Sequence, residues 1–131
     1  MIRLFVYGTL RKNGTNHWRL AGFKCLAEKL WLPGYELYDN FLYPYAVASR
    51  APGAGILGEV YAIDEPTLAQ LDRLEGLAEG HYVRVLDAST GAFIYLKADL
   101  GDLAQYPKIE GGDWQPETRP PIMYAPDLNR A

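Results

Sequence analysis

Glu75 is the residue with the most chemical potential in this sequence. It ends a segment, residues 65–75, built from good helix formers. Asp64 precedes it as a candidate N-cap, Pro66 suits a first turn, and Gly76 can close the helix in a left-handed conformation. On such a helix, residues three, four and seven apart share a face, so Glu75 lies with Leu68 and Leu71. Two leucines that seek the core therefore draw a carboxylate inward. Burial disfavours its charge, and so do the exposed carbonyls of the last helical turn. Both effects are expected to lift the Glu75 pKa above that of a free glutamate, about 4.3, towards the range of about 6–7 that suits an acid–base catalyst. Two ordinary readings stand beside this one: a rim glutamate that reaches solvent, or a structural ion pair with Arg73 or Arg84.

A second candidate is the stretch Tyr7, Gly8, Thr9 and Leu10, which follows an apolar, strand-like opening at residues 2–7. Gly8 is expected to allow a sharp bend with positive φ, where successive N–H groups can cradle an anion and Thr9 adds a hydroxyl. The ordinary reading is a plain strand-ending turn. Tyr82 and Arg84 stand two apart on an expected strand and so share a face. Tyr82 could bond a ligand or orient the carboxylate, or both residues could belong to a solvated sheet face. Cys25 reads as a buried structural thiol and His17 as a structural or capping residue. His81 is expected to face away from Tyr82. There is no GxxxxGK[ST] phosphate loop and no Gly-x-Ser-x-Gly nucleophile elbow.

The elements that must position these groups are mostly short strands, expected at residues 2–7, 23–32, 35–38, 45–49 and 56–63. A hairpin follows at 82–88 and 92–98. A short helix is expected at 16–20 and the main helix at 65–75. From Gly101 onward, Pro107, Pro116, Pro120, Pro121 and Pro126 point to an irregular segment docked near Trp114. The expected organisation is one domain over residues 1–114 and a Pro-containing tail over 115–131. Many strands around one helix indicate an α+β fold with a barrel-like mixed sheet.

The chain has 131 residues, suited to a single domain with a real core. It is 49% hydrophobic and 22% charged, which excludes wholesale disorder. With 13 basic against 16 acidic residues, and no basic stripe, nucleic acid is not an expected partner. No apolar run approaches a membrane span, and the opening residues are too short for a signal segment, so no membrane association is expected. A single cysteine permits no intrachain disulfide and favours a reducing, cytoplasmic setting. The cysteine and the two histidines show no zinc-type spacing, so no metal is expected. Ten tyrosines are available to line a pocket with ring and hydroxyl, although aromatic residues also favour strands.

Taken together, several segments resemble the γ-glutamylcyclotransferase-like family, and most closely its γ-glutamylamine cyclotransferase branch. They are Val6-Tyr7-Gly8-Thr9-Leu10-Arg11, Asn16-His17, Gly58-Glu59-Val60-Tyr61-Ala62-Ile63-Asp64, Leu71-Asp72-Arg73-Leu74-Glu75-Gly76, Tyr82-Val83-Arg84 and Gly112-Asp113-Trp114. The resemblance spans residues 2–114 and rests on the order and spacing of the motifs. It implies a small mixed β-barrel with flanking helices. It also implies an enzyme that cyclises a small-molecule γ-glutamyl amide to 5-oxoproline without a cofactor and releases the free amine. By the same resemblance Glu75 is the general base and then acid, Tyr7, Gly8, Thr9 and Leu10 hold the glutamyl group, and Tyr82 borders the site. The alternative is a non-catalytic module that binds a carboxylate metabolite in the same pocket. The sequence carries no signal of oligomeric state.

Overall fold

The computed structural model describes residues 1–115; the expected tail lies outside these residues, Gln115 excepted. Seven strands form: β1 (Ile2–Val6), β2 (Lys24–Pro33), β3 (Tyr35–Asp39), β4 (Pro44–Ala48), β5 (Gly55–Ile63), β6 (Tyr82–Asp87) and β7 (Ala92–Lys97). One α-helix, α1 (Glu65–Leu74), joins β5 to β6, and short 3-10 turns occupy His17–Leu20 and Leu103–Gln105.

Five strands make a mixed sheet in the order β2-β5-β1-β7-β6, and β3 pairs with β4 as a separate hairpin. β1 runs antiparallel to β5, with Ile2 opposite Ile63 and Val6 opposite Glu59. It runs parallel to β7, where Leu4 pairs with Phe93. This central place explains the apolar run Leu4-Phe5-Val6 of β1, because a strand covered on both faces needs apolar residues on both. Leu4 and Val6 join the core beneath α1, with Leu68, Leu71, Tyr82 and Tyr95. Phe5 and Tyr7 point the other way, into a core shared with Leu37 of β3, Ala46 of β4 and Ile94 of β7. Gly58 allows the close approach of β5, since a Cβ there would stand 2.2 Å from the Val6 carbonyl oxygen.

The expected barrel is not what forms. β2 and β6 end the sheet as edges, and the ladder does not close between them. The α+β class and the mixed sheet are observed. The β3–β4 hairpin instead packs against β5 and β7 and caps the open side. Among the described residues no helix is long and apolar enough to cross a membrane.

Candidate active site

Glu75 is the C-cap residue of α1, and its side chain is only 1% exposed. The helix starts on Asp64, whose side chain accepts from the Thr67 N–H at 2.9 Å. It ends on Gly76 in the left-handed region, φ 68°. The Leu77 N–H reaches back to the Asp72 carbonyl at 3.1 Å and the Gly76 N–H to Arg73 at 3.1 Å, a closed C-terminal motif. With both ends fixed and Leu68 and Leu71 in the core, the one-face spacing carries Glu75 inward. The solvent-reaching rim reading and the pair with Arg84 do not hold. The residue is buried, and the charge of Arg84 goes to Asp72, to which its Nε and Nη2 donate at 2.9 and 3.1 Å.

The loop after β1 is a tight turn in which the Arg11 N–H donates to the Gly8 carbonyl at 3.0 Å. Gly8 does not enter the left-handed region, contrary to expectation, so the bend is an ordinary turn and not an alternating-φ anion cradle. The loop is braced from behind. The Asn16 amide donates to Thr9 Oγ1 at 3.0 Å, and His17 Nδ1 lies 2.9 Å from the Leu10 carbonyl oxygen.

Glu75 and this loop meet. A small cavity of about 20 Å³ is lined by Tyr7, Gly8, Thr9, Leu10 and Glu75, together with Phe5, Val6 and Tyr95. Glu75 is the one carboxylate in that lining. The space holds roughly one water, so an organic ligand enters only as lining side chains give way.

Residues 4–116 match the Gamma-glutamyl cyclotransferase, AIG2-like family. The chain belongs to this family. The Escherichia coli Gamma-glutamylcyclotransferase family protein YtfP is 37% identical over 115 residues, 86% of this chain and 96% of YtfP. Its solution structure superposes with a TM-score of 0.67 at 33% identity, covering 90% of this chain and all (100%) of that one. A crystal structure from Pyrococcus horikoshii gives 0.66 at 32% identity, covering 86% and 89%. A Mus musculus AIG2-like protein, at 24% identity and a TM-score of 0.61, covering 95% and 98%, shares the fold.

In this family member two phenols of the cavity lining, Tyr7 and Tyr95, and the buried Tyr82 outside it are held neutral. Burial, and then the charge of Glu75, push the Tyr7 hydroxyl well above its ordinary pKa. Burial does the same for Tyr82, followed by Tyr7 and Glu75. Tyr95 is raised by burial and by its bond to Asp72. At neutral pH all three are donors and none is a base.

Of the anticipated site residues, Tyr7, Gly8, Thr9, Leu10 and Glu75 come together. Tyr82 is buried and senses both Glu75 and Tyr7, but it lines a neighbouring cleft and not this cavity. It does not lie on a solvated sheet face: Val83 is the exposed neighbour, and Arg84 is covered by Asp72. Cys25 is half-buried, less than expected, and its thiol faces the Ala27 carbonyl at 3.4 Å. Two residues were missed. Tyr95 lines the cavity, yet in sequence it is one aromatic in a strand. Arg11 is buried, with Nη1 2.8 Å from Asp113 and 2.9 Å from the Trp114 carbonyl oxygen, and Nε 3.6 Å from Glu59. A basic residue directly after the loop was the available signal.

Proposed function

We propose that the chain is a γ-glutamylcyclotransferase that converts a γ-glutamyl amide to 5-oxoproline and a free amine, acting on γ-glutamylamines or related amides. The observation that carries this reading is the buried Glu75 carboxylate in one cavity with residues 7–10. Family membership supports the same chemistry.

The substrate's α-carboxylate is held by backbone N–H groups of Gly8, Thr9 and Leu10. Glu75 removes a proton from the α-ammonium. The freed nitrogen attacks the γ-carbonyl carbon of the same molecule, and a C–N bond closes the five-membered ring. Protonated Glu75 delivers its proton to the amide nitrogen of the leaving group as that C–N bond breaks. The carboxylate, again ionised, takes the second proton from the ring nitrogen, and that proton leaves with the amine. Nucleophile and electrophile share one molecule, so the site must chiefly hold the chain curled. Well-oriented intramolecular reactions reach effective molarities of about 10⁵–10⁸ M.

The test is to incubate the protein with γ-glutamyl amines, γ-glutamyl dipeptides and glutathione and to measure 5-oxoproline. Formation of 5-oxoproline, abolished in Glu75→Gln with the fold retained, is the expected result. Full turnover in Glu75→Gln overturns the role of Glu75. No product from any amide favours a binding module.

A further inference from the structure

A chain of hydrogen bonds with a fixed direction reaches the Glu75 cavity from behind. It starts at Arg19, whose Nε donates to Asn16 Oδ1 at 3.1 Å. It continues from Asn16 Nδ2 to Thr9 Oγ1 at 3.0 Å. Thr9 lines the cavity together with Glu75. The direction follows from the groups themselves. A guanidinium has only donors and does not lose its charge in proteins. Arg19 therefore claims the amide oxygen of Asn16, and the amide nitrogen, also a donor, is turned to Thr9. The Thr9 oxygen must accept there, so its own hydrogen goes to a different acceptor. Resting on the cyclotransferase reading, we propose that Asn16 and Arg19 are positioning residues that set the Thr9 hydroxyl as a donor to the α-carboxylate of the bound γ-glutamyl substrate.

The surrounding structure holds this polarity. Asn16 and Thr9 are both buried, so bulk water does not replace either partner. The Asn16 N–H donates to the Thr9 carbonyl at 2.9 Å, so Asn16 grips Thr9 by backbone and side chain at once. A side chain at Gly14 would strike that same carbonyl, and the close approach therefore needs glycine. Arg19 is fixed in turn. Its N–H donates to the Asn16 carbonyl at 3.0 Å, and its guanidinium carbon lies 4.4 Å from the centroid of the Trp18 ring. In a trans peptide the carbonyl and the N–H point opposite ways. Holding the Thr9 carbonyl toward Asn16 thus turns the Leu10 N–H away from it. Asn16 in this way sets one side-chain donor and one backbone donor of the loop. Donors to an ionised oxygen make the strong hydrogen bonds, and a carboxylate is the group that rewards this arrangement.

Asn16→Asp tests the direction, because it keeps the shape and inverts the polarity. A carboxylate accepts from Arg19 and from Thr9 alike, so the Thr9 hydrogen is withdrawn from the substrate. With γ-glutamyl-ethylamide the KM should rise about tenfold, the scale of one hydrogen bond to a charged group, while kcat and the urea midpoint change little. Thr9→Val removes the hydroxyl at nearly equal shape and should match it. In the Thr9→Val background, Asn16→Asp should add nothing further, which separates lost donation from repulsion by the new charge. Two effects that add in full, or an unmoved KM in Thr9→Val, overturn the proposal. Arg19→Met lets the Asn16 amide reverse, and an unmoved KM there overturns the part given to Arg19. If the wild type makes no 5-oxoproline, the cyclotransferase reading fails, and titration calorimetry with γ-glutamyl-ethylamide decides the positioning role by itself. A Kd about tenfold weaker in each single variant, and no weaker in the double variant, supports that role. Full additivity, or no binding by the wild type, overturns it.

Discussion

The hydroxyl of Tyr7 donates to the backbone carbonyl of Tyr95 at 2.6 Å. β1 and β7 share a single residue pair in their ladder, Leu4 with Phe93, so this bond straps the loop after β1 to the far end of β7. It also aims the loop at the cavity. Tyr7→Phe keeps the ring and removes the donor, leaving a buried carbonyl one bond short. The expected cost is about 1–3 kcal/mol of unfolding free energy. It is read as a lower urea midpoint at unchanged slope, which separates lost stability from a change in compactness.

Asp72 holds Tyr95 from the other side. It accepts the Tyr95 hydroxyl at 2.7 Å and both prongs of Arg84. Since Asp72 stands one helical turn before Glu75, this carboxylate sets the seat of Glu75 without touching the cavity. Asp72→Ala leaves the Tyr95 hydroxyl without its acceptor, at an expected cost of about 2 kcal/mol. Tyr95→Phe removes the stranded group, so the double variant should be more stable than the sum of the single losses implies, by about 0.5–3 kcal/mol of coupling. Strict additivity would show that the two groups act independently.

Gly76 fixes where the helix stops and hence where Glu75 points. Its φ is 68°, and a Cβ there would stand 2.6 Å from Nδ1 of His81. Gly76→Ala must bear the left-handed penalty of about 1–2 kcal/mol and also push the imidazole aside. The helix end shifts as a result, and Glu75 moves with it. The expected phenotype combines reduced thermal stability with a kcat loss larger than the KM change. An unaltered kcat would mean that Glu75 holds its place without the glycine.

Much of this site was readable because its signals are local. The apolar run of β1, the Asp64 cap, the spacing of Leu68, Leu71 and Glu75, and the closing Gly76 all lie within a few residues of what they specify. What escaped depends on distant partners. Arg11 is buried because Asp113 and Trp114, more than a hundred residues on (|i−j| of 102 and 103), come back to meet it. Tyr95 joins the cavity through a bond to Tyr7, 88 residues earlier. The face shared by Tyr82 and Arg84 was right in its alternation, but its cover, α1 with Asp72, was not visible from the strand itself. Barrel closure failed for the same reason, since pairing between edge strands is not written in either strand.

Asp87 supplies a pH-dependent brace for the β6–β7 turn. It lies at the end of β6 and accepts from the Ser89 hydroxyl at 2.6 Å, the Thr90 N–H at 3.0 Å and the Thr90 hydroxyl at 2.8 Å. It also accepts the Tyr35 hydroxyl at 2.9 Å, joining the β6–β7 turn to β3. Burial acts to raise its pKa, but the bonds from Ser89, Thr90 and Tyr35 outweigh it, and the folded value lies below the ordinary one. A depressed folded pKa means that the stabilisation is present above the unfolded value, about 3.9, and fades as pH falls through the folded one. On the alkaline side, burial and Asp87 push Tyr35 up to about 12. Its contribution holds below the unfolded value of about 10 and fades as pH rises through the folded value. Asp87→Asn should therefore cost about 2 kcal/mol at pH 7, the scale of hydrogen bonds to a charged acceptor. The gap from wild type should narrow steadily below about pH 4. Urea unfolding of both proteins from pH 3 to pH 9 measures it, and a gap independent of pH would show that the Asp87 charge is not what stabilises the turn.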